Sequence, residues 1–176
     1  MNIIRAKTSH EINEVRRLFR EYEAYLNVDL CFQQFESELA NLPGKYAPPS
    51  GTLLLATDGQ KAIGCGALRS LGASQERTCE MKRLYVYPEG RGLGIGKQIA
   101  RRLIQEGLRL GYSSMVLDTL DRLEAAIHLY ESLGFVRTGP YYDNPLPDVV
   151  YWKLALRGQH GAAADSPGHG NVERAK

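Results

Sequence analysis

Side chains and turns suited to binding and catalysis concentrate in one stretch, Cys79 to Arg102, which reads CEMKRLYVYPEGRGLGIGKQIARR. Pro88, Gly90, Gly92, Gly94 and Gly96 interrupt it, and Arg91 and Lys97 bracket the last three glycines. Ahead of them, Thr78 to Tyr87 is rich in β-branched, aromatic and aliphatic residues, a strand pattern. Behind them, Ile95, Ile99, Leu103 and Leu110 fall at helical spacing, with Ala100 and Ile104 beside them. A helix N-terminus leaves backbone N–H groups unpaired and carries partial positive charge, and glycines let a phosphate approach them closely. The chemistry this implies is anion binding, most simply of a phosphorylated cofactor. Two loops are eliminated. A Walker A loop needs Gly five residues before its Gly-Lys pair and Ser or Thr after it, but Arg91 and Gln98 stand there. The dinucleotide pattern G-x-G-x-x-G needs glycine at Ile95 or Lys97.

What remains is Arg91-x-x-Gly94-x-Gly96. It resembles the R/Q-x-x-G-x-G/A pyrophosphate loop of the GNAT N-acetyltransferase superfamily, and E-x-K-R-L-Y-V-x-P-E-x-R-G-x-G-x-G runs in register with that family throughout. The segment LYESLGF, 129–135, is similar to it too. CEMKRLYV, LDTL and YYDNP look like a bacterial subfamily of acetyltransferases without an assigned acceptor. The resemblance covers residues 1 to 156 and implies a single transferase domain there. The implied fold is α+β, an α/β/α sandwich whose mixed, largely antiparallel sheet splays where acetyl-CoA enters. Acetyl-CoA would be the acyl donor, and a primary amine of a small molecule, peptide or protein the acceptor.

Acetyl transfer from a thioester to an amine requires the amine to lose a proton, the carbonyl oxygen to be stabilised and the thiolate to be protonated. By resemblance, Glu80, eleven residues before Arg91, matches a general-base glutamate whose pKa partial burial would raise. As an ordinary strand residue it would instead pair with Lys82 or Arg83. A bulge in the central strand would free backbone groups at Leu84, Tyr85 and Val86 for the pantetheine arm. Tyr130 matches a tyrosine that protonates the thiolate; among Ile127, Leu129 and Leu133 it also reads as a buried aromatic. Arg91, Gly92, Leu93, Gly94, Ile95, Gly96 and Lys97 would hold the pyrophosphate. Asp118, Tyr141, Tyr142 and Asp143 would line the acceptor pocket, or the tyrosines would form a rigid turn capping the sheet edge. Two competing classes are a coenzyme A binding module without turnover and a protein-interaction domain whose glycine loop is only a turn.

Helices and strands are predicted around these residues along the whole chain. Asn2 to Lys7 predicts a first strand, and Thr8-x-x-Glu11 a capping box before Ile12, Val15, Leu18, Phe19, Tyr22 and Leu26. A second helix is predicted over Phe32 to Leu42, then strands over Thr52 to Thr57 and Lys61 to Leu71 around Asp58-Gly59. Gly72 to Arg77 connects them to the central strand. Gly111 caps the central helix, Ser114 to Leu117 is a buried strand, and Asp121-x-x-Glu124 opens a helix through Leu133. Val136 to Tyr142 and Val149 to Leu156 close the sheet. The segment 157–176 has almost no large apolar residue and predicts a disordered tail.

Size and composition agree. A chain of 176 residues, 43% hydrophobic and 24% charged, suits one soluble domain. A net charge of +2 and the lack of a basic stripe argue against nucleic acid and membrane partners. No apolar run approaches membrane length and no signal peptide is evident, so a cytoplasmic location is expected. Cys31, Cys65 and Cys79 lack C-x-x-C spacing and are expected as small buried hydrophobes; His10, His128, His160 and His169 have no ligand spacing, so no metal is expected. A homodimer is compatible with the resemblance, though no segment commits to one.

Overall fold

The computed structural model describes residues 1–72 and 77–156. The predicted tail and the middle of the Gly72–Arg77 connection lie outside the described residues. Seven strands form one sheet: β1 (Asn2–Arg5), β2 (Thr52–Asp58), β3 (Lys61–Ser70), β4 (Thr78–Val86), β5 (Ser114–Leu120), β6 (Val136–Thr138) and β7 (Val149–Ala155). Their order is β1-β2-β3-β4-β5-β7-β6, and every pairing is antiparallel except β4 with β5. Four α-helices cover the faces: α1 (Ser9–Leu26), α2 (Phe35–Ala40), α3 (Ile95–Arg109) and α4 (Glu124–Ser132).

The capping box of α1 is formed. Thr8 Oγ1 accepts from the Glu11 N–H at 3.2 Å, and the Glu11 carboxylate accepts from the Thr8 N–H at 2.9 Å. The helix buries Val15, Leu18, Phe19 and Leu26 along one stripe. The predicted second helix is broken in two. A 3-10 turn at Cys31–Gln33 precedes α2, and Gln34 between them has φ 57, a left-handed conformation through which a right-handed helix cannot run. Cys31 on that turn is exposed, contrary to expectation, whereas Cys65 and Cys79 are buried.

The β2–β3 hairpin turns on Gly59-Gln60, with Asp58 already paired to Lys61 and Gly59 at φ 58. Gly111, φ 81, follows α3; its N–H and that of Tyr112 bond the Leu108 and Gly107 carbonyls at 3.0 Å each. β5 runs to Leu120 rather than ending at Leu117, and β6 stops at Thr138 rather than Tyr142. The capping box expected at Asp121 is absent. Asp121 accepts from Arg137 instead, its N–H is tied to the Asp148 carbonyl, and α4 starts at Glu124 without a side-chain cap.

The TLLLAT run is buried on both faces, which is why it does not alternate. Leu53 and Leu55 join Val15, Phe19, Phe35 and Leu39 beneath α1 and α2. Leu54 and Ala56 join Ile99, Leu103, Leu117 and Trp152 beneath α3 and α4. Each such leucine or phenylalanine contributes about 1.5–3 kcal/mol by leaving water. The two layers hold the sheet rigid up to the place where it opens.

Candidate active site

β4 and β5 pair only at Thr78–Glu80 with Ser114–Val116. Beyond Glu80 the outer edge of β4 has no strand partner, so its backbone donors and acceptors face open space. A bulge coincides with the opening. Tyr85 opposes Cys65 and Lys82 opposes Ala67, leaving Arg83 and Leu84 together across from Gly66. Arg83 takes φ 57, rare for a side chain of its size. It is held from α2: the guanidinium donates from Nε to Glu38 Oε1 and from Nη2 to Oε2, both at 2.9 Å. The Tyr46 hydroxyl donates to Glu38 at 3.0 Å, and Arg83 sits 5.0 Å from the Phe35 ring centre. The bulge expected by resemblance is therefore present, locked by a buried ion pair.

The opening is a cleft of about 650 Å³ between β4, β5, α1 and the N-terminal ends of α3 and α4. Leu84, Tyr85 and Val86 line it, as do Arg91, Gly92, Gly94, Ile95, Gly96 and Lys97. Leu93 does not; it points outward, 69% exposed. Gly92 and Gly94 have φ 78 and 74, and a Cβ on either would meet nothing within 4 Å. Backbone conformation, not crowding, requires glycine there. Arg91 crosses the cleft mouth, donating to the Val86 carbonyl at 3.3 Å with its guanidinium 4.1 Å from the Tyr25 ring centre. The loop, the α3 N-terminus, Arg91 and Lys97 suit a phosphate-bearing ligand, and the unpaired β4 edge suits an extended arm.

Tyr130 lies deep in the cleft, packed edge-on against Phe135 at 5.8 Å. Burial pushes its phenol well above the usual value, so it keeps its proton and is a donor. Tyr22 of α1, which sequence reasoning took only as part of an apolar stripe, also lines the cleft. Burial pushes its phenol up to about 12; Arg83 opposes the rise and Asp118 reinforces it, which places this ring near both charges. Asp118 lines the cleft as well.

Glu80 does not. Its side chain is wholly buried rather than partly so, behind the cleft wall. Arg69 Nε donates to one oxygen at 2.5 Å; Lys82 Nζ, at 3.3 Å, and the Tyr141 hydroxyl, at 2.8 Å, donate to the other. Lys82 also reaches Asp118 at 3.5 Å. Tyr142 donates to Asp118 at 2.9 Å and accepts from Asn144 at 2.6 Å and Gln33 at 3.1 Å. Both tyrosine hydroxyls are thus committed to carboxylates, and neither is free to receive a cationic amine; burial and those carboxylates push both phenols up. Asp143 is exposed and outside this network. The pairing with Lys82 read from the sequence is present, but Arg83 pairs with Glu38 instead, and the sequence did not show Arg69, which only the β3–β4 register brings to Glu80.

Among the described residues, no group of three or more His, Cys, Asp or Glu is placed to hold a metal, and no helix is long and apolar enough to cross a membrane.

Comparison with known proteins gives the same frame. The family model described as "Acetyltransferase (GNAT) family" matches residues 12–135. An uncharacterised N-acetyltransferase of Schizosaccharomyces pombe is 46% identical over 157 residues, 89% of this chain and 95% of the relative. One from Dictyostelium discoideum is 32% identical, covering 84% and 95%. Among solved structures, an acetyltransferase from Streptococcus agalactiae superposes with a TM-score of 0.73 at 19% identity, covering 88% of this chain and 98% of that one. A Salmonella typhimurium protein solved with its cofactor acetyl-CoA superposes with a TM-score of 0.69 at 22% identity, covering 94% and 99%. With its splayed sheet, glycine loop and relatives named N-acetyltransferases, the chain belongs to the GNAT acetyltransferase family.

Proposed function

We propose that residues 1–156 form one catalytic domain that moves the acetyl group of acetyl-CoA onto a primary amine of a small molecule or a peptide or protein. The observation that carries this reading is one continuous cleft, which joins the glycine loop to Tyr130, Tyr22 and Asp118 along an unpaired, bulged strand. Acetyl-CoA supplies the activated acyl group. The loop 91–97 receives the pyrophosphate, and the freed backbone of Leu84 to Val86 pairs with the pantetheine arm and donates to the thioester oxygen. The residue facing the amine is Asp118, not Glu80. Glu80 acts from behind through Lys82 and Tyr141, each of which touches both carboxylates. Asp118 takes one ammonium proton, leaving a lone pair on nitrogen. As the N–C bond forms and the C–S bond breaks, Tyr130 protonates the sulfur and is reprotonated by the second amine proton through solvent, while Asp118 releases its proton to solvent. Burial that raises the phenol raises a thiolate in the same cleft for the same reason, which keeps that transfer near balance.

Thermal unfolding with acetyl-CoA and desulfo-coenzyme A tests the binding half. Ligand at a hundred times its Kd stabilises by about 2.7 kcal/mol, roughly 5–11 °C for a domain this size. A shift, followed by amine-dependent thiol release lost in Asp118→Asn, supports the proposal. No shift at millimolar ligand sinks it and leaves an interaction domain.

A further inference from the structure

A second, smaller cavity of about 30 Å³ continues from the reactive end of the cleft. Tyr22, Lys82, Arg83, Asp118, Thr119 and Leu123 line both. Its far wall is aliphatic, with Leu26, Val28, Leu30 and Leu146. We propose that this cavity selects the acceptor, and that the acceptor is a small free amino acid: its ammonium meets Asp118, its carboxylate meets Arg83, and a side chain of one to three carbons fills the aliphatic end. The inference rests on the transferase reading above and adds the substrate class to it.

Three observations carry it. The first is size. A water-sized group needs about 10–15 Å³, so 30 Å³ admits a side chain of about two or three such groups and no ring, while the ammonium and carboxylate stay where the cavity opens into the cleft, at Asp118 and Arg83, which line both. The second is charge. Asp118 is the one carboxylate lining the cavity among the described residues, opposed by Lys82 and Arg83, whose own partners Glu80 and Glu38 lie behind. One ammonium finds a partner there; the second ammonium of a polyamine finds none. Glu38 occupies Nε and Nη2 of Arg83, and Nη1 has no hydrogen-bond partner among the described residues, so a carboxylate has a donor. Asp118 keeps accepting capacity too: the Tyr142 bond is 2.9 Å, but its contacts from Lys82, Tyr141 and Asn144 are 3.4–3.5 Å. Gln33, which also lines the cavity, keeps Oε1 buried without a partner, short of one donor that an N–H-bearing ligand would supply. The third is closure. Gln33 bonds Tyr142, and Arg122 bonds the Leu26 carbonyl while pairing with Asp148, which ties the α1–α2 connection to the 141–148 loop over the cavity. A peptide would have to break that roof.

The test is initial-rate thiol release with product mass spectrometry, using acetyl-CoA and four acceptor sets: glycine to valine; ethylamine and glycinamide; phenylalanine and spermidine; and a tripeptide. Alanine-sized amino acids are expected to exceed the carboxylate-free amines and the phenylalanine arm by tenfold or more in kcat/KM. Leu146→Phe is expected to move the preference toward glycine, and Leu146→Ala toward valine, with acetyl-CoA affinity unchanged in both. Peptide, polyamine or phenylalanine turnover above alanine overturns the substrate class while leaving the transferase reading intact. Equal rates for alanine and ethylamine overturn the Arg83 contact. Absence of acetyl-CoA binding, measured separately by calorimetry, overturns the underlying reading instead.

Discussion

Replacing Glu38 by alanine tests what holds the β4 bulge in shape. The Arg83 side chain is 2% exposed, its backbone is left-handed, and Glu38 is its only carboxylate partner within ion-pair distance among the described residues. Taking away one partner of a buried pair leaves an uncompensated charge and costs about 3–5 kcal/mol. At about 2–4 °C per kcal/mol for this size, the melting temperature of Glu38→Ala should fall by roughly 6–20 °C. Arg83→Gly removes both the stranded charge and the strain of a left-handed non-glycine residue, which costs about 1 kcal/mol or more. The double variant should therefore be more stable than Glu38→Ala alone, with a coupling of about 2 kcal/mol or more in a double-mutant cycle read by urea unfolding. If the two changes simply add, Arg83 is not where the cost arises and the locked-bulge account fails.

The pH dependence gives an independent check on the same pair. Burial alone would lift the Glu38 carboxyl, but the Arg83 hydrogen bonds and charge, with the Tyr46 hydroxyl, outweigh it and hold the carboxyl below its usual range. A depressed folded pKa adds stability that is complete above the unfolded value and is lost as pH falls through the folded one. The melting-temperature gap between the wild type and Glu38→Gln should stay constant near neutrality and narrow only below about pH 4. A gap that instead narrows between pH 6 and 8 would contradict the assignment.

Other perturbations separate binding, chemistry and packing. Tyr130→Phe should lower kcat about 100-fold or more, within the range of a lost general acid, while acetyl-CoA affinity by calorimetry holds. Gly96 is a cleaner place to probe the loop than Gly94. A Cβ at Gly96 meets only Val86 and Leu129 at ordinary contact, whereas Gly94 is left-handed and any β-branched residue strains it. Gly96→Ala, which the R/Q-x-x-G-x-G/A pattern accepts, should keep both its melting temperature and its acetyl-CoA affinity, whereas Gly96→Asp should weaken acetyl-CoA binding tenfold or more by setting a carboxylate against the pyrophosphate. Glu80→Gln should destabilise by about 3–5 kcal/mol, since it takes the carboxylate from Arg69 and leaves Lys82 with Asp118 alone, yet leave the acidic limb of the pH–rate profile in place.

Local signals account for what the sequence showed and distance in sequence for what it did not. The glycine loop and the α3 stripe are written in consecutive residues, so elimination among known loops and periodicity reach them directly. The break at Gln34 carries no breaker residue; it is imposed where Phe35 and Leu39 turn into the core. Glu80 reads from the sequence as a partly buried base candidate and not as a wholly buried carboxylate, because its partner Arg69 is eleven residues away across a register that only folding sets. Tyr22 was hidden for the opposite reason: its spacing with Leu18 and Leu26 is that of core, and only the hydroxyl distinguishes it.

Both Glu80 and Tyr22 belong to the acceptor half of the cleft or its support, and that bears on how acceptor choice is built in such a chain. The donor half of the cleft relies on backbone groups that the glycine loop and one strand bulge present, so its signature stays local. The acceptor half consists of charges contributed by β4, β5, α2 and the 141–148 loop, each neutralised by a partner from another element. Changing any one of them would strand a buried charge, so altered specificity is expected to come first through the uncharged wall at Val28, Leu30 and Leu146. A selection for acetylation of larger amino acids should therefore return substitutions at those aliphatic positions before any at Lys82, Arg83 or Asp118. Recovery of charge-altering variants first would show that the network is more loosely coupled than its distances imply.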